Sequence, residues 1–395
     1  MQKTSTFNPR ELNITLAGET YALPNLLLAL FVMLVAVIGT PLYLYHYGLN
    51  WGLVWGYLAF HFISGFSVTA GYHRLFSHRT YQASWPVRLF FALGGAMAIQ
   101  NSILEWAAQH RMHHRHVDDP VKDPYPITKG FFYAHIGWIF KSLQHLQMPK
   151  SIVHDLEQDW VVQFQHKYYW PLVAVFNIII PLAIGFALGY PFGFFLVCVV
   201  FRLFVVENVI FSVNSFNHMF GRQPFSDACT ARDNTLINIL MLGEGYHNYH
   251  HRFEYDYRNG VSLLAIDPTK WLIGTLNMLG LANGLRRVPL SQITAARTAM
   301  ALKRAQTKGK ARFLDAHPRL ESLRQDMIKH IQHWEDLLDE KKRLIKEQLA
   351  NRSDQQVTAQ LRLKLEELRE KLTVAKAEWQ AKREQFQHAL HAVAA

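Results

Sequence analysis

Long apolar runs alternate with short polar joins over roughly the first 290 residues, and a different pattern then takes over. A helix needs about 20 consecutive apolar residues to cross the hydrocarbon of a bilayer. Four stretches reach that length, at about 26–45, 51–70, 170–188 and 191–213. The joins inside each pair, His46–Asn50 and Gly189–Tyr190, carry no Lys or Arg. Lys3, Arg10, Arg74, Arg79, Arg111, Arg115 and Lys122 all lie on the other side of the spans, as does a basic C-terminal part. The positive-inside rule therefore predicts two membrane hairpins, with both termini and segment 71–169 in the cytoplasm. A fifth apolar stretch, 85–99, is shorter and holds Arg88, Gly94 and Gly95, so it reads as an interfacial or buried helix. Arg202 and Glu207 fall inside the fourth stretch. Charges are costly there, and the pair reads as the point where that helix emerges into the cytoplasm.

From about Ser291 the apolar positions become sparse and periodic. Leu320, Leu323, Met327, Trp334, Leu337 and Leu344 follow steps of three and four, and a second series runs through Leu361, Leu365, Leu368, Leu372, Ala375, Trp379 and Phe386. Asn351–Asp354 interrupts the two series. The pattern predicts two amphipathic helices packed as a hairpin or coiled coil, a solvated scaffold able to support self-association. The expected division is an N-terminal cytoplasmic segment at 1–24, a membrane domain at 25–290 and a polar helical tail at 291–395.

Composition narrows the chemistry. The 395 residues are 50% hydrophobic and carry a formal net charge of +11. The apolar runs are too long for a soluble core, so that charge belongs to membrane-protein loops and not to a nucleic-acid surface. The N-terminus, up to Gly18, lacks the form of a cleaved signal, so the first span is expected to remain. Two cysteines, Cys198 and Cys229, cannot build a disulfide framework, an iron–sulfur cluster or a thiolate zinc site. Histidine occurs 21 times.

Several of these histidines are patterned at the mouths of the apolar spans. HRLFSH (His73–His78) follows the second span, HRMHH (His110–His114) follows the interfacial helix, Asn214 and His218 lie one turn apart where the fourth span ends, and HNYHH spans His247–His251. Positions i, i+3 and i+4 share a helix face, so His110, His113 and His114 can face one cavity, as can His247, His250 and His251. His73, His78 and His218 bring the set to nine imidazoles, about right for two metal ions. His46, His61, His135, His145, His154 and His166 lack the spacing and read as ordinary polar residues. An all-imidazole site suits iron or zinc and not magnesium or calcium. A pair of metals beside apolar helices points to oxidation of an acyl or alkyl chain by activated oxygen. Glu105, Asp118, Asp119 and Glu244 are candidates to accept imidazole N–H groups.

These motifs resemble the membrane fatty acyl desaturases, in particular the stearoyl-CoA (delta-9) desaturase type. The resemblance rests on TAGYHRLFSH (69–78), EWAAQHRMHH (105–114), GFFYAHIGW (130–138), NSFNHMFG (214–221) and GEGYHNYHH (243–251), and covers about 25–275. It implies an all-α integral membrane protein, with four membrane helices under a cytoplasmic helical cap. It also implies two irons held by His73, His78, His110, His113, His114, His218, His247, His250 and His251, with Asn214 contacting one through water. A bent tunnel would hold a long saturated acyl thioester, O2 would be the co-substrate, and a cis double bond would result.

Two departures from the animal enzymes bear on the substrate. Ala108 and Gln109 stand where an Arg-Asp pair contacts CoA, although Asn101 and Trp106 match. The carrier is therefore CoA, acyl carrier protein or an intact lipid, with CoA the leading expectation. At the tunnel floor the chain has Gly65 and His61, and Tyr72 replaces a small residue before His73. No heme motif or ferredoxin cysteines occur, so an external donor of ferredoxin or cytochrome b5 type is expected. The rival readings are a membrane di-iron lipid hydroxylase and, in another class, a metal transporter or storage protein.

Overall fold

The computed structural model describes residues 13–16, 19–141, 150–235, 237–262, 264–308 and 310–394. Lys3, Arg10 and His145 lie outside these residues. The chain divides into two compact units. One comprises 1–222 and 228–287, and the other comprises 223–227 and 288–395.

In the first unit, four helices are long and apolar enough to cross a membrane: α1 (Leu23–Tyr47), α2 (Trp51–Ser77), α7 (Tyr169–Leu188) and α8 (Pro191–Met219). Between them lie α3 (Trp85–Ala96), α4 (Ile103–His116), α5 (Phe131–His135) and α6 (Trp160–Lys167). After α8 come α9 (His247–Arg252) and α10 (Pro268–Met278). Strands are minor. β1 (Asn13–Leu16) pairs antiparallel with β2 (Glu19–Ala22), and β3 (Gln82–Ala83) pairs with β4 (Ala282–Asn283).

The hairpins are tight for local reasons. Gly48 adopts φ 74, and the Asn50 side chain caps α2 by accepting from the Leu53 amide at 3.0 Å. Gly189, at φ 84, ends α7 in a left-handed turn before Pro191 starts α8. Length distinguishes the spans. At 1.5 Å per residue, the 20 residues of α7 span about 30 Å, the thickness of the hydrocarbon. The 27 residues of α2 and 29 of α8 reach about 10 Å further. Those added turns carry His73, Asn214 and His218. The first histidine box is therefore not a segment after the second span but the continuation of the same helix.

All four spans contain wide turns closed by i→i+5 bonds, and the longest run is Ser67–Ser77 in α2. Such turns recur at functional sites. Here they solve a spacing problem. Residues five apart on an α-helix point about 140° away from each other. A turn closed by i→i+5 bonds, as from the His78 amide to the His73 carbonyl at 3.1 Å, brings both side chains to one face.

The fifth apolar stretch forms α3, which ends at Ala96 and is not among the four candidate spans. Arg88 on it donates to Asp159, the N-cap of α6, at 2.6 Å. Arg202 overturns the emergence reading. It is fully buried mid-helix and donates to the Met97 carbonyl and to Asn177 Oδ1, both at 2.6 Å, while α8 runs on to Met219. A charge inside the membrane zone persists when protein carbonyls satisfy it. Glu207 accepts from Gln100 at 3.2 Å.

Among its described residues the second unit contains three helices: α11 (Leu290–Lys308), α12 (Lys310–Ala350) and α13 (Gln355–Ala394). The expected hairpin is present as α12 and α13, and α11 is an added element. Leu337, Leu344, Leu361, Leu368 and Leu372 are buried between the long helices, and Trp334 stacks on Trp379 at 5.6 Å. Leu302, Phe313, Leu320, Met327 and Phe386 form a second cluster towards α11.

Candidate metal centre

The nine patterned histidines converge in two groups. His73, His78, His110, His114 and His250 offer ring nitrogens that all lie within 4.8 Å of one another. His113, His218, His247 and His251 form the other group. The HxxHH boxes are each divided between the two. His110 and His114 go to one group and His113 to the other, while His250 goes to the first and His247 and His251 to the second. The groups adjoin, since the His114 ring stacks on His251 at 4.3 Å.

Anchors on the outer nitrogens fix how the rings point. His73 Nδ1 lies 3.0 Å from Glu244, His114 Nδ1 lies 3.0 Å from Glu254 and His113 Nδ1 lies 2.9 Å from Asp123. A carboxylate only accepts, so in each of these rings Nδ1 carries the proton and Nε2 presents a lone pair. His218 reaches the same state through a relay. Thr230 Oγ1 donates to Asp118 at 2.6 Å and so accepts from His218 Nδ1 at 2.7 Å. His110 Nδ1 lies 3.3 Å from the Tyr125 hydroxyl.

The inner nitrogens crowd together. Nε2–Nε2 distances are 3.0 Å for His73–His250, 3.0 Å for His114–His250, 2.8 Å for His78–His110 and 3.1 Å for His218–His247. His250 has one proton to share and cannot satisfy two bare partners. His113 Nε2 is buried with no hydrogen-bond partner. Imidazole nitrogens about 2.1 Å from a common ion and 90° apart would sit about 3.0 Å from one another. The donor set therefore fits two metal ions, one per group. Burial, followed by the neighbouring imidazoles and cations, pushes His78, His110, His247, His250 and His251 well below their usual pKa. Burial also takes His114 down to about 4, against the pull of Glu254. Neutral rings are the form that binds metal.

Buried ions hold this frame. Arg74, fully buried next to His73, donates to Glu244 at 2.9 Å, to Asp267 at 3.1 Å and to the Tyr257 carbonyl at 2.8 Å. Burial alone would raise the Glu244 carboxyl, but Arg74 and His73 outweigh it and hold it at about 2. Gly243, at φ 105, allows the loop to lie against Asp267, where a Cβ would come within 2.2 Å of Oδ1. Arg111, between the histidines of the second box, donates to the Phe76 and Ser77 carbonyls at the end of α2 and bidentately to Asp155. It thus caps one box from the other.

Two of the four proposed carboxylate acceptors are corrected. Glu105 accepts from the Ser102 amide and hydroxyl in a capping box, and Asp119 accepts from the Val121 and Lys122 amides. Neither touches an imidazole of the nine. Glu244 does so directly and Asp118 through Thr230. Asp123, Glu254, Tyr125 and Thr230 had no spacing signal to betray them. Asp123 returns to His113 because Asp118, at φ 68, turns the chain back.

The remaining candidates are more scattered. Trp106 lies against the centre, stacked on His110 at 4.8 Å, with its indole N–H on Gln100. Asn101 is exposed and adopts φ 70. Asn214 is half-buried one turn before His218. Gly65 is buried, facing the Leu242 side chain at 3.0 Å from where a Cβ would stand, and His61 lies one turn earlier beside Tyr57. Tyr72 is buried over Gly95, which has no Cβ to obstruct the ring, and accepts from Gln165 at 2.6 Å. His135 and His166 are satisfied by Ser215 with Asn208 and by Ser102, as ordinary polar residues.

Comparison with known proteins agrees with this geometry. The fatty acid desaturase family matches residues 49–259, more than half of the chain. Stearoyl-CoA desaturase 5 of Bos taurus is 38% identical over 62% of this chain and 73% of its own length. The Delta(9)-fatty-acid desaturase fat-7 of Caenorhabditis elegans is 37% identical over 64% of this chain and 76% of its own. Acyl-CoA desaturase 1 of Saccharomyces cerevisiae is 39% identical over 59% of this chain and 46% of its own, so the match spans about half of that protein.

Proposed function

Because this chain belongs to the fatty acid desaturase family, we propose that it is a membrane enzyme placing a cis double bond, at the delta-9 position, in a long saturated acyl chain carried as a CoA thioester. The observation that carries this reading is the pair of imidazole clusters whose ring nitrogens converge on one another. They stand at the ends of membrane helices, where a hydrocarbon chain can arrive from the bilayer. The balanced reaction converts R–CH2–CH2–R′, O2, two electrons and two protons into R–CH=CH–R′ and two waters.

Two irons, one per cluster, would supply O2 activation. His73, His78, His110, His114 and His250 would hold one, and His113, His218, His247 and His251 the other. Asn214 would serve the second through water. The protein's own work is positioning. Glu244, Glu254, Asp123 and the Thr230–Asp118 relay keep each ring in the tautomer and orientation that ligation needs. Trp106 and Asn101 would line the acyl entry, with Gly65 and His61 at the closed end. The acyl-CoA and stearoyl-CoA desaturases among the relatives support a CoA thioester, and the membrane reading supports termini and site on the cytoplasmic face. The tail helices would serve self-association.

The test is expression in a host lacking unsaturated fatty acids, with gas chromatography and mass spectrometry of the lipids. A cis alkene sustains the proposal, and a hydroxylated chain or no modified lipid overturns it. Gly65→Phe is expected to shift preference towards shorter chains by filling the space before Leu242, read as the ratio of products from mixed acyl-CoA substrates.

A further inference from the structure

The two faces of α10 differ in character. The inner face belongs to the buried frame. Asp267, which caps the helix, is buried together with Thr269, Lys270 and Ile273. Asp267 accepts from Arg74, and Lys270 donates to the carbonyls of Gly260, Ser262 and Ala265. On the outer face Trp271, Thr275 and Met278 follow steps of four and three and are exposed, Met278 at 80%. The Thr275 hydroxyl donates to the Trp271 carbonyl at 3.0 Å and so needs no water. Leu264 before the helix and Leu279 and Leu281 after it are exposed as well. From 263 to 285 the chain holds two charged residues, Asp267 and Lys270, and both are the ones turned inwards. Arg286 and Arg287, both exposed, follow directly. An uncharged apolar surface of this kind marks a place of contact.

The chain fixes the level at which this surface stands. Gly280, at φ 70, ends α10, and the Leu281 amide returns to the Leu276 carbonyl at 2.9 Å. The Leu281 carbonyl accepts from the amide of Ser84, the N-cap of α3, at 2.9 Å, next to the β3–β4 pairing. The end of α10 is thus held at the start of α3, where Trp85 is exposed with its ring 6.2 Å from that of Trp160. At its other end α3 stops at Ala96, and the next carbonyl, that of Met97, accepts from Arg202 at 2.6 Å. Arg202 lies about 17 Å along α8 from Pro191, near the middle of a hydrocarbon layer about 30 Å thick. The 12 residues of α3 cover about 18 Å, little more than the remaining half-thickness of about 15 Å. Trp85 therefore stands no further out than the headgroups, and the end of α10 stands with it.

We propose that α10 is a membrane-interface helix, with its Trp271–Met278 face seated in the headgroup zone of the bilayer that the four spans cross. Leu264, Leu279 and Leu281 dip towards the acyl boundary, and Arg286 and Arg287 reach the lipid phosphates. Tryptophan favours this zone, since its ring is apolar and its N–H is polar. Continuity with the spans identifies the occupant, because the helix is tied to α3 and α3 is tied to mid-span Arg202. The bilayer then bears on the same helix whose Asp267 holds Arg74 beside His73. This rests on the reading that the four apolar helices cross a membrane.

The test uses the full chain in nanodiscs of phosphatidylcholine and phosphatidylglycerol. An environment-sensitive NBD label is attached at Met278→Cys and, in a second preparation, at Thr275→Cys, with Cys198→Ala and Cys229→Ser in both. Quenching by doxyl-labelled lipid reports the bilayer, and quenching by iodide reports water. A label at Ile179→Cys, exposed midway along α7, checks separately that the spans cross the bilayer. A label at Lys342→Cys, on the exposed tail surface, is the aqueous reference. Labels at 278 and 275 are expected to lose most of their emission to doxyl lipid and little to iodide. Iodide quenching equal to that at 342 overturns the proposal. Resistance to both quenchers also overturns it, since a protein surface would then cover the face. Failure of doxyl lipid to quench at 179 overturns the membrane reading itself.

Discussion

Charged groups are used in opposite ways in the unit that carries the histidine clusters and in the tail. In the first unit Arg74, Glu244 and Asp267 are almost fully buried and satisfy one another. In the tail, Lys342–Asp339 and Lys371–Glu367 pair with both side chains more than half exposed, while the interior is leucine, methionine and aromatic rings. A buried pair is a poor source of net stability, because desolvation offsets most of the attraction. Its value in the first unit is directional, since Arg74 fixes Glu244 and Glu244 fixes His73. The pairs in the tail orient none of the clustered rings, and its interior is packed from apolar side chains.

The largest expected effect breaks the buried network. Arg74→Met leaves two uncompensated carboxylates and should cost about 3–5 kcal/mol, read as a lower thermal midpoint in detergent together with lost metal. Full metal content with an unchanged midpoint would refute the role given to Arg74. Met327→Ala, at a fully buried tail position, should cost about 2–5 kcal/mol within the tail and leave metal content intact. Metal loss in that variant would mean that the two units depend on each other. Among the anchors, Asp123→Asn should weaken metal affinity about 10–100-fold. Glu254→Gln should have a smaller effect, because water can take its place at a half-exposed position. Competition with a chelator ranks the two, and the reverse order would contradict the exposure argument. The smallest effect is Lys342→Ala, expected within about 0.5 kcal/mol of wild type in the thermal unfolding of the tail.

Much of this protein is legible along the chain because the relevant signals are local and periodic. Runs of about 20 apolar residues mark α1, α2, α7 and α8, steps of three and four mark α12 and α13, and the boxes at His73, His110 and His247 mark histidines that cluster. The sequence alone also carries the family. Arg202 shows where such reading stops, since a charge in an apolar run does not reveal that Met97 and Asn177 will meet it. The division of the nine histidines into five and four was likewise beyond the sequence, as was the use of Asp123, Glu254 and Thr230 as anchors. The wide turns that bring His73 and His78 to one face belong with them. Those outcomes depend on hydrogen bonds between segments ten to almost two hundred residues apart. They depend also on a helical pitch that the chain adopts only when packed, and no repeat in the sequence encodes either.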